Sequence, residues 1–144
     1  MDYYFMAAIS VPKEDTLGRA SVGMKSDSLF AKAISINDKW PPFYLNRARA
    51  NSLIDYTRTK WLAIPYYEKF IEVVMKLREE KSTTFKEDKN QLFEAYKALG
   101  GYNLLIAKDD AKAKDYFTKA LEIKTDDKEV NEYFTPVPAA APKK

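Results

Sequence analysis

Hydrophobic and polar positions along this chain spell one phrase three times: an aromatic, any residue, Lys, a core residue, an aliphatic, any residue, an aliphatic. It reads Phe30-Ala-Lys32-Ala33-Ile34-Ser-Ile36, then Tyr67-Glu-Lys69-Phe70-Ile71-Glu-Val73, then Phe117-Thr-Lys119-Ala120-Leu121-Glu-Ile123. Four residues before each aromatic stands a small residue: Ser26, Ala63 and Ala113. Small at i, aromatic at i+4 and apolar again a turn later describes one face of an α-helix, not the alternation of a strand. A weaker phrase precedes each strong one, with Tyr4 before Ala7-Ala8, Tyr44 before Arg47-Ala48 and Tyr96 before Leu99-Gly100. A ring followed by a notch on the same face lets another helix approach closely. Internal repeats on this scale point to stacked supersecondary units that bury one another's faces.

The pattern predicts an all-α chain of helical hairpins: helices over about 2–11 and 16–36, about 41–54 and 61–80, and about 88–106 and 110–124. The three units cover about 2–38, 41–80 and 88–125, within one domain spanning 1–134. Polar turn segments such as Asp55-Tyr-Thr-Arg-Thr-Lys60 and Lys108-Asp109-Asp110 separate the helices. Pro41-Pro42 suits a first helical turn, where a missing N–H does little harm, and Pro65 requires its helix to begin close by. A short helix over about 127–134 is expected to cap the last hairpin. The Pro/Ala/Lys segment 135–144 cannot hold a helix and is expected to be a disordered tail.

These residues resemble the tetratricopeptide repeat, a helix-turn-helix of roughly 34 residues with W-x₂-L-G-x₂-Y in helix A and A-x₃-F in helix B. Tyr96-x-x-Leu99-Gly100 stands where the helix A pattern belongs, and Ala113-x₃-Phe117-x₂-Ala120 matches helix B. Units one and two keep helix B as Ser26-x₃-Phe30-x₂-Ala33 and Ala63-x₃-Tyr67-x₂-Phe70. The departures are Asp38, Met75 and Thr125 in place of the helix-ending Pro, and Arg47 at a position that is aliphatic in the family. The chain thus looks like a divergent, bacterial-looking array of about three repeats. The resemblance implies hairpins stacked into a right-handed superhelix, an α-solenoid.

Composition narrows the chemistry. The chain of 144 residues has no His and no Cys, which removes the commonest metal ligand, the commonest general base and any thiolate nucleophile. Its 24 basic and 21 acidic residues are interspersed, unlike the one-sided positive face of a nucleic-acid binder. No apolar run approaches the roughly 20 residues of a membrane span. The start lacks a basic n-region and reads as an amphipathic helix entered abruptly, as in a segment of a longer protein, with any targeting signal lying outside it. Such a domain is expected to be soluble, cytoplasmic or periplasmic. The acidic doublets Glu79-Glu80, Asp109-Asp110 and Asp126-Asp127 are read as solvation or helix capping, because adjacent helical residues diverge by about 100° and make no preformed dyad. Gly100-Gly101 is read as close helix packing, and Trp40 and Trp61 as edge-packing residues beside loops. No enzyme, metal or cofactor is expected.

The resemblance places function on helix A, which lines the concave groove of such arrays. Carried over, the groove positions are Phe5 and Ile9, then Leu45, Asn46 and Arg49, then Glu94, Lys97 and Gly101. Asn46, Arg49 and Lys97 are similar to residues that clamp a peptide's C-terminal carboxylate, although unit one offers only apolar residues there. The function implied is a non-catalytic scaffold binding a protein or peptide partner, acidic or with a free carboxylate. The alternatives are a self-association module, with Tyr3, Tyr4, Phe5, Met6 and Ile9 as contact, or an accessory region of a larger enzyme.

Overall fold

The computed structural model describes residues 10–135. It contains six α-helices: α1 (Thr16–Ile36), α2 (Pro41–Ile54), α3 (Ile64–Glu79), α4 (Lys89–Tyr102), α5 (Asp110–Ile123) and α6 (Lys128–Phe134). A π-helical turn, Asn103–Ala107, extends α4. There is no strand among the described residues. The helix expected over 2–11, with Phe5 and Ile9, and nearly all of the tail over 135–144 lie outside the described residues.

Local chemistry sets the helix ends. Asp15, Asp88, Asp109 and Asp127 each cap a helix by accepting a backbone N–H in its first turn, from Gly18, Asn90, Lys112 and Val130 respectively. Such caps satisfy amides that have no intrahelical partner, and each is worth about 1 kcal/mol. Two of the acidic doublets therefore supply caps. Helix α2 begins on Pro41-Pro42 and α3 on Ile64-Pro65, so the proline pair and Pro65 all fall in first turns. α3 starts three residues later than the expected 61, because 61–63 belong to the preceding loop. The helix expected to run through 106 changes register at Asn103. The Asn103 side chain donates to the Leu99 carbonyl at 2.8 Å, and the segment closes on Lys108, whose φ is 55°. Thr135 is extended, as the residue before a proline prefers.

The main contacts run between consecutive helices, α1 on α2 through to α5 on α6, as where repeats pack on their neighbours. The repeated phrase is the core. Phe30, Tyr67 and Phe117 are buried, as are their small partners Ser26, Ala63 and Ala113 and the following Ala33, Phe70 and Ala120. Close approach explains the small residues: a Cβ on Gly23 of α1 would sit 2.8 Å from the Ala50 carbonyl oxygen of α2. The phrase overreaches once. Ile36 is 86% exposed, because α1 ends on it and no neighbour covers that last position. The phrase lysines Lys69 and Lys119 pair on the surface with Glu72 and Asp115.

Arg47 replaces an aliphatic residue because α1 and α3 supply it with partners. Its Nε donates to Asp27 Oδ1 at 2.8 Å, its guanidinium lies 4.5 Å from the Tyr66 ring centroid, and Asn51 Nδ2 donates to the same Asp27 oxygen at 2.6 Å. One charged group thus joins three helices.

Candidate binding groove

Stacking brings α2, α4 and α6 to one side of the array, and a groove of about 630 Å³ opens between them. Its floor is a single face of α4: Asn90, Phe93, Glu94, Lys97, Ala98 and Gly101, at the three- and four-residue steps that align side chains along a helix. From Asn90 to Gly101 that face runs about 16 Å at 1.5 Å per residue. α2 adds Asn51 and Ser52, the residue capping its end adds Asp55, and α6 adds Glu129 and Val130. Gly101 leaves the floor open, since a Cβ built on it would meet nothing within 4 Å.

Most charged groups in the groove hold one another. Arg49 Nη2 donates to Glu94 Oε2 at 2.6 Å, its Nε donates to both Glu94 oxygens, and the Tyr67 hydroxyl donates to Glu94 Oε1 at 2.9 Å. This ties α2, α3 and α4 together. Burial, reinforced by the neighbouring Glu94 carboxylate, pushes the Tyr67 hydroxyl pKa far up. Lys97 Nζ sits 3.1 Å from Asp127 and 2.7 Å from Glu129. Burial works against the Lys97 charge, but these carboxylates outweigh it and raise its pKa. Glu129 is itself 79% exposed, so it can swing away from Lys97.

The far end of the groove is closed by the loop between α2 and α3, which is built around one buried carboxylate. Asp55, 7% exposed, accepts the backbone N–H of Thr59 and of Lys60, both at 3.0 Å, and the Thr59 hydroxyl. Burial would raise the Asp55 pKa, but the backbone hydrogen bonds from Lys60, Thr59 and Trp61 prevail and hold it below the usual carboxylate range. This anchoring forces Arg58 and Trp61, both with φ of 54°, into the left-handed region. Outside glycine that conformation costs about 1–2 kcal/mol per residue. Both strained residues line the groove. Trp61 packs on Tyr102 with ring centroids 5.7 Å apart, and the π-helical turn leaves Leu105 beside the groove, 56% exposed.

The structure sorts the expected groove positions. Glu94, Lys97 and Gly101 come together on the floor. Leu45 is 1% exposed and belongs to the core, since its side of α2 faces the hairpin interior. Arg49 acts behind the floor by holding Glu94, and Asn46 Oδ1 accepts from Arg49 Nη1 at 3.3 Å. Trp40 packs edge-on against Phe85, as an edge residue would, whereas Trp61 also lines the groove. Arg58, Leu105, Lys124 and Glu129 are groove residues that the family spacing does not point to. Only the aromatic of Trp61 beside a polar turn hinted at that end.

No family model and no curated protein matches the chain. Among solved structures it is similar to the C-terminal part of a TPR repeat-containing protein from Cytophaga hutchinsonii, at 27% sequence identity and a TM-score of 0.63. The likeness covers 87% of this chain and 49% of that one, so the chain spans about half the length of that structure. The fold is therefore tetratricopeptide-like and all-helical. No described helix is long and apolar enough to cross a membrane.

Proposed function

We propose that this domain is a non-catalytic protein-interaction scaffold, holding a peptide segment of a protein partner in the groove between α2, α4 and α6. The observation that carries the reading is the open floor of α4. A continuous helical face combines the apolar Phe93 and Ala98 with the polar Asn90, Glu94 and Lys97, and Gly101 clears space above it. A pocket of this kind, mostly apolar with a few placed polar groups, is how small ligands and peptide segments are usually held. Its length of about 16 Å suits roughly five residues of extended chain at 3.3 Å each. Lys97 remains a carboxylate contact in this reading, with an incoming acid displacing the exposed Glu129.

Selection of a phage-displayed random heptapeptide library on the domain, repeated with Gly101→Trp, tests the proposal. Enriched peptides that bind the wild type and lose binding when the indole fills the groove are expected. No enrichment, or binding indifferent to Gly101→Trp, would remove the groove from the function.

Self-association has one observation in its favour. Leu17 and Met24, seven residues apart on α1, are 84% and 56% exposed. Sedimentation velocity of the wild type and of a Leu17→Lys, Met24→Lys variant decides it, a dimer lost in the variant being the supporting result.

A further inference from the structure

Two departures from regular backbone meet at one end of the groove, each with its own local cause. The first is the loop in which Asp55 holds Arg58 and Trp61 at positive φ. The second is the π-helical turn that follows Tyr102 and places Leu105 at the groove. Strained non-glycine residues persist only where the surroundings over-determine them, and they cluster at ligand clamps and switch regions. Single π-helical turns are likewise frequent at functional sites. Here both present apolar surface to the same space: Trp61 and Leu62 from the loop, Leu105 from the turn.

The charges at this groove are unequal in availability. Asp55 is consumed by backbone amides and Glu94 by Arg49 and Tyr67, while Lys97 is held by Asp127 and opens to a ligand only when the exposed Glu129 is displaced. Arg58 is exposed and lines the groove with no ion-pair partner among the described residues. Lys124 has the Phe93 ring as its neighbour, at 4.5 Å, and no paired carboxylate among the described residues. Both cations therefore remain open to a ligand. Arg58 stands beside Trp61, whose ring meets the C-terminal end of α4, and Lys124 stands beside Phe93 near the start of that helix.

We propose that the Trp61–Leu105 end of the groove is an anchor subsite for a short acidic peptide segment, whose bulky aliphatic or aromatic side chain packs on Trp61, Leu62 and Leu105 while flanking carboxylates engage Arg58 and Lys124. This rests on the groove reading above and names the ligand class. Asp55 already holds the loop by three hydrogen bonds, so the peptide meets a preformed platform and little ordering is left to be done on binding. Arg58 suits a carboxylate because its guanidinium presents paired N–H donors.

The test uses the complete chain and fluorescein-labelled acetyl-Glu-Ala-Leu-Phe-Ala-Glu-amide, read by polarisation, with matched peptides in which both Glu become Lys or both apolar anchors become Ser. The acidic apolar peptide is expected to bind at least tenfold more tightly than either control. Arg58→Glu is expected to reverse the charge preference, so that the Lys peptide becomes the better ligand. In a Trp40→Phe background, binding is also expected to shift the emission of Trp61. Should library-selected peptides bind in a Gly101-sensitive manner while this probe fails, or while Arg58→Glu leaves the charge preference unchanged, the anchor assignment is overturned and the groove reading survives. Should neither probe nor library bind, both fall together. Thermal unfolding of each variant separates lost binding from lost fold.

Discussion

Gly100 packs its backbone against the ring of Phe117, so closely that a Cβ on Gly100 would lie 2.5 Å from Phe117 Cε1. Its neighbour Gly101 faces open groove, and neither glycine has a positive φ. Adjacent glycines in one helix therefore do different things: Gly100 permits α4 to meet α5, while Gly101 leaves the groove floor open. Gly100→Ala is expected to destabilise by about 1–3 kcal/mol through overpacking. Gly101→Ala is expected to stabilise by about 0.5–1 kcal/mol, because alanine loses less backbone entropy in a helix. Urea unfolding of the two variants checks both signs. Equal effects would mean that α4 is rotated from the orientation described.

Ser26 offers a gain. Its Oγ is fully buried with no hydrogen-bond partner among the described residues, at the position that Ala63 and Ala113 fill in the other units. An unsatisfied buried hydroxyl costs about 1–3 kcal/mol. Ser26→Ala removes it with no change of backbone demand, and a rise in melting temperature of a few degrees is expected by calorimetry. A fall would reveal a partner for the hydroxyl.

Stability should respond to pH at both extremes and little between, since the chain has no histidine. Asp55 and Asp127 titrate low because backbone hydrogen bonds overcome their burial, and Glu87 because Arg78 lies against it. A folded pKa below the unfolded one gives stability that is complete above about pH 4 and is lost as pH falls through the lower folded values. Tyr67, Tyr44, Tyr96 and Tyr116 are raised, foremost by burial. Their contribution is complete below about pH 10 and declines above it. Melting temperatures from pH 3 to 11 are expected to form a plateau with two falling edges, and Asp55→Asn should make the acid edge shallower. A single smooth slope would contradict the assignment.

The Arg49–Glu94 pair should show coupling. A double-mutant cycle with Arg49→Met and Glu94→Gln, followed by chemical denaturation, is expected to give about 1 kcal/mol or more of interaction, as for partly shielded charged hydrogen bonds. Additive losses would mean that the two side chains meet only in passing.

Periodicity makes the fold legible in the chain: Phe30, Tyr67 and Phe117, with the small residues four positions before them, mark the buried faces of α1, α3 and α5. Helix starts follow from prolines and capping aspartates, which act locally. The groove is harder to read. Arg49 and Lys97 look like free cations in the sequence, and their carboxylates stand 45 and 30 residues away. Left-handed Arg58 and Trp61 carry no glycine or asparagine signal, because the cause is a carboxylate at Asp55 that reads as an ordinary turn residue. The π-helical turn depends on a hydrogen-bond choice at Asn103 that no hydrophobic pattern records. Leu45 fails as a groove position for a related reason: family spacing gives the side of a helix, and the local rotation of α2 decides which residue on it is covered.

Because Arg49, Tyr67 and Glu94 come from three successive helices, the angular step between the two hairpins is set by a three-point brace as well as by apolar contact. An array held only by oily surfaces would flex like a loose spring, with its pitch following temperature and load. This brace stiffens one joint of the spring, the joint over which the groove lies. Loosening it would change the width of that groove before it changed whether the domain folds.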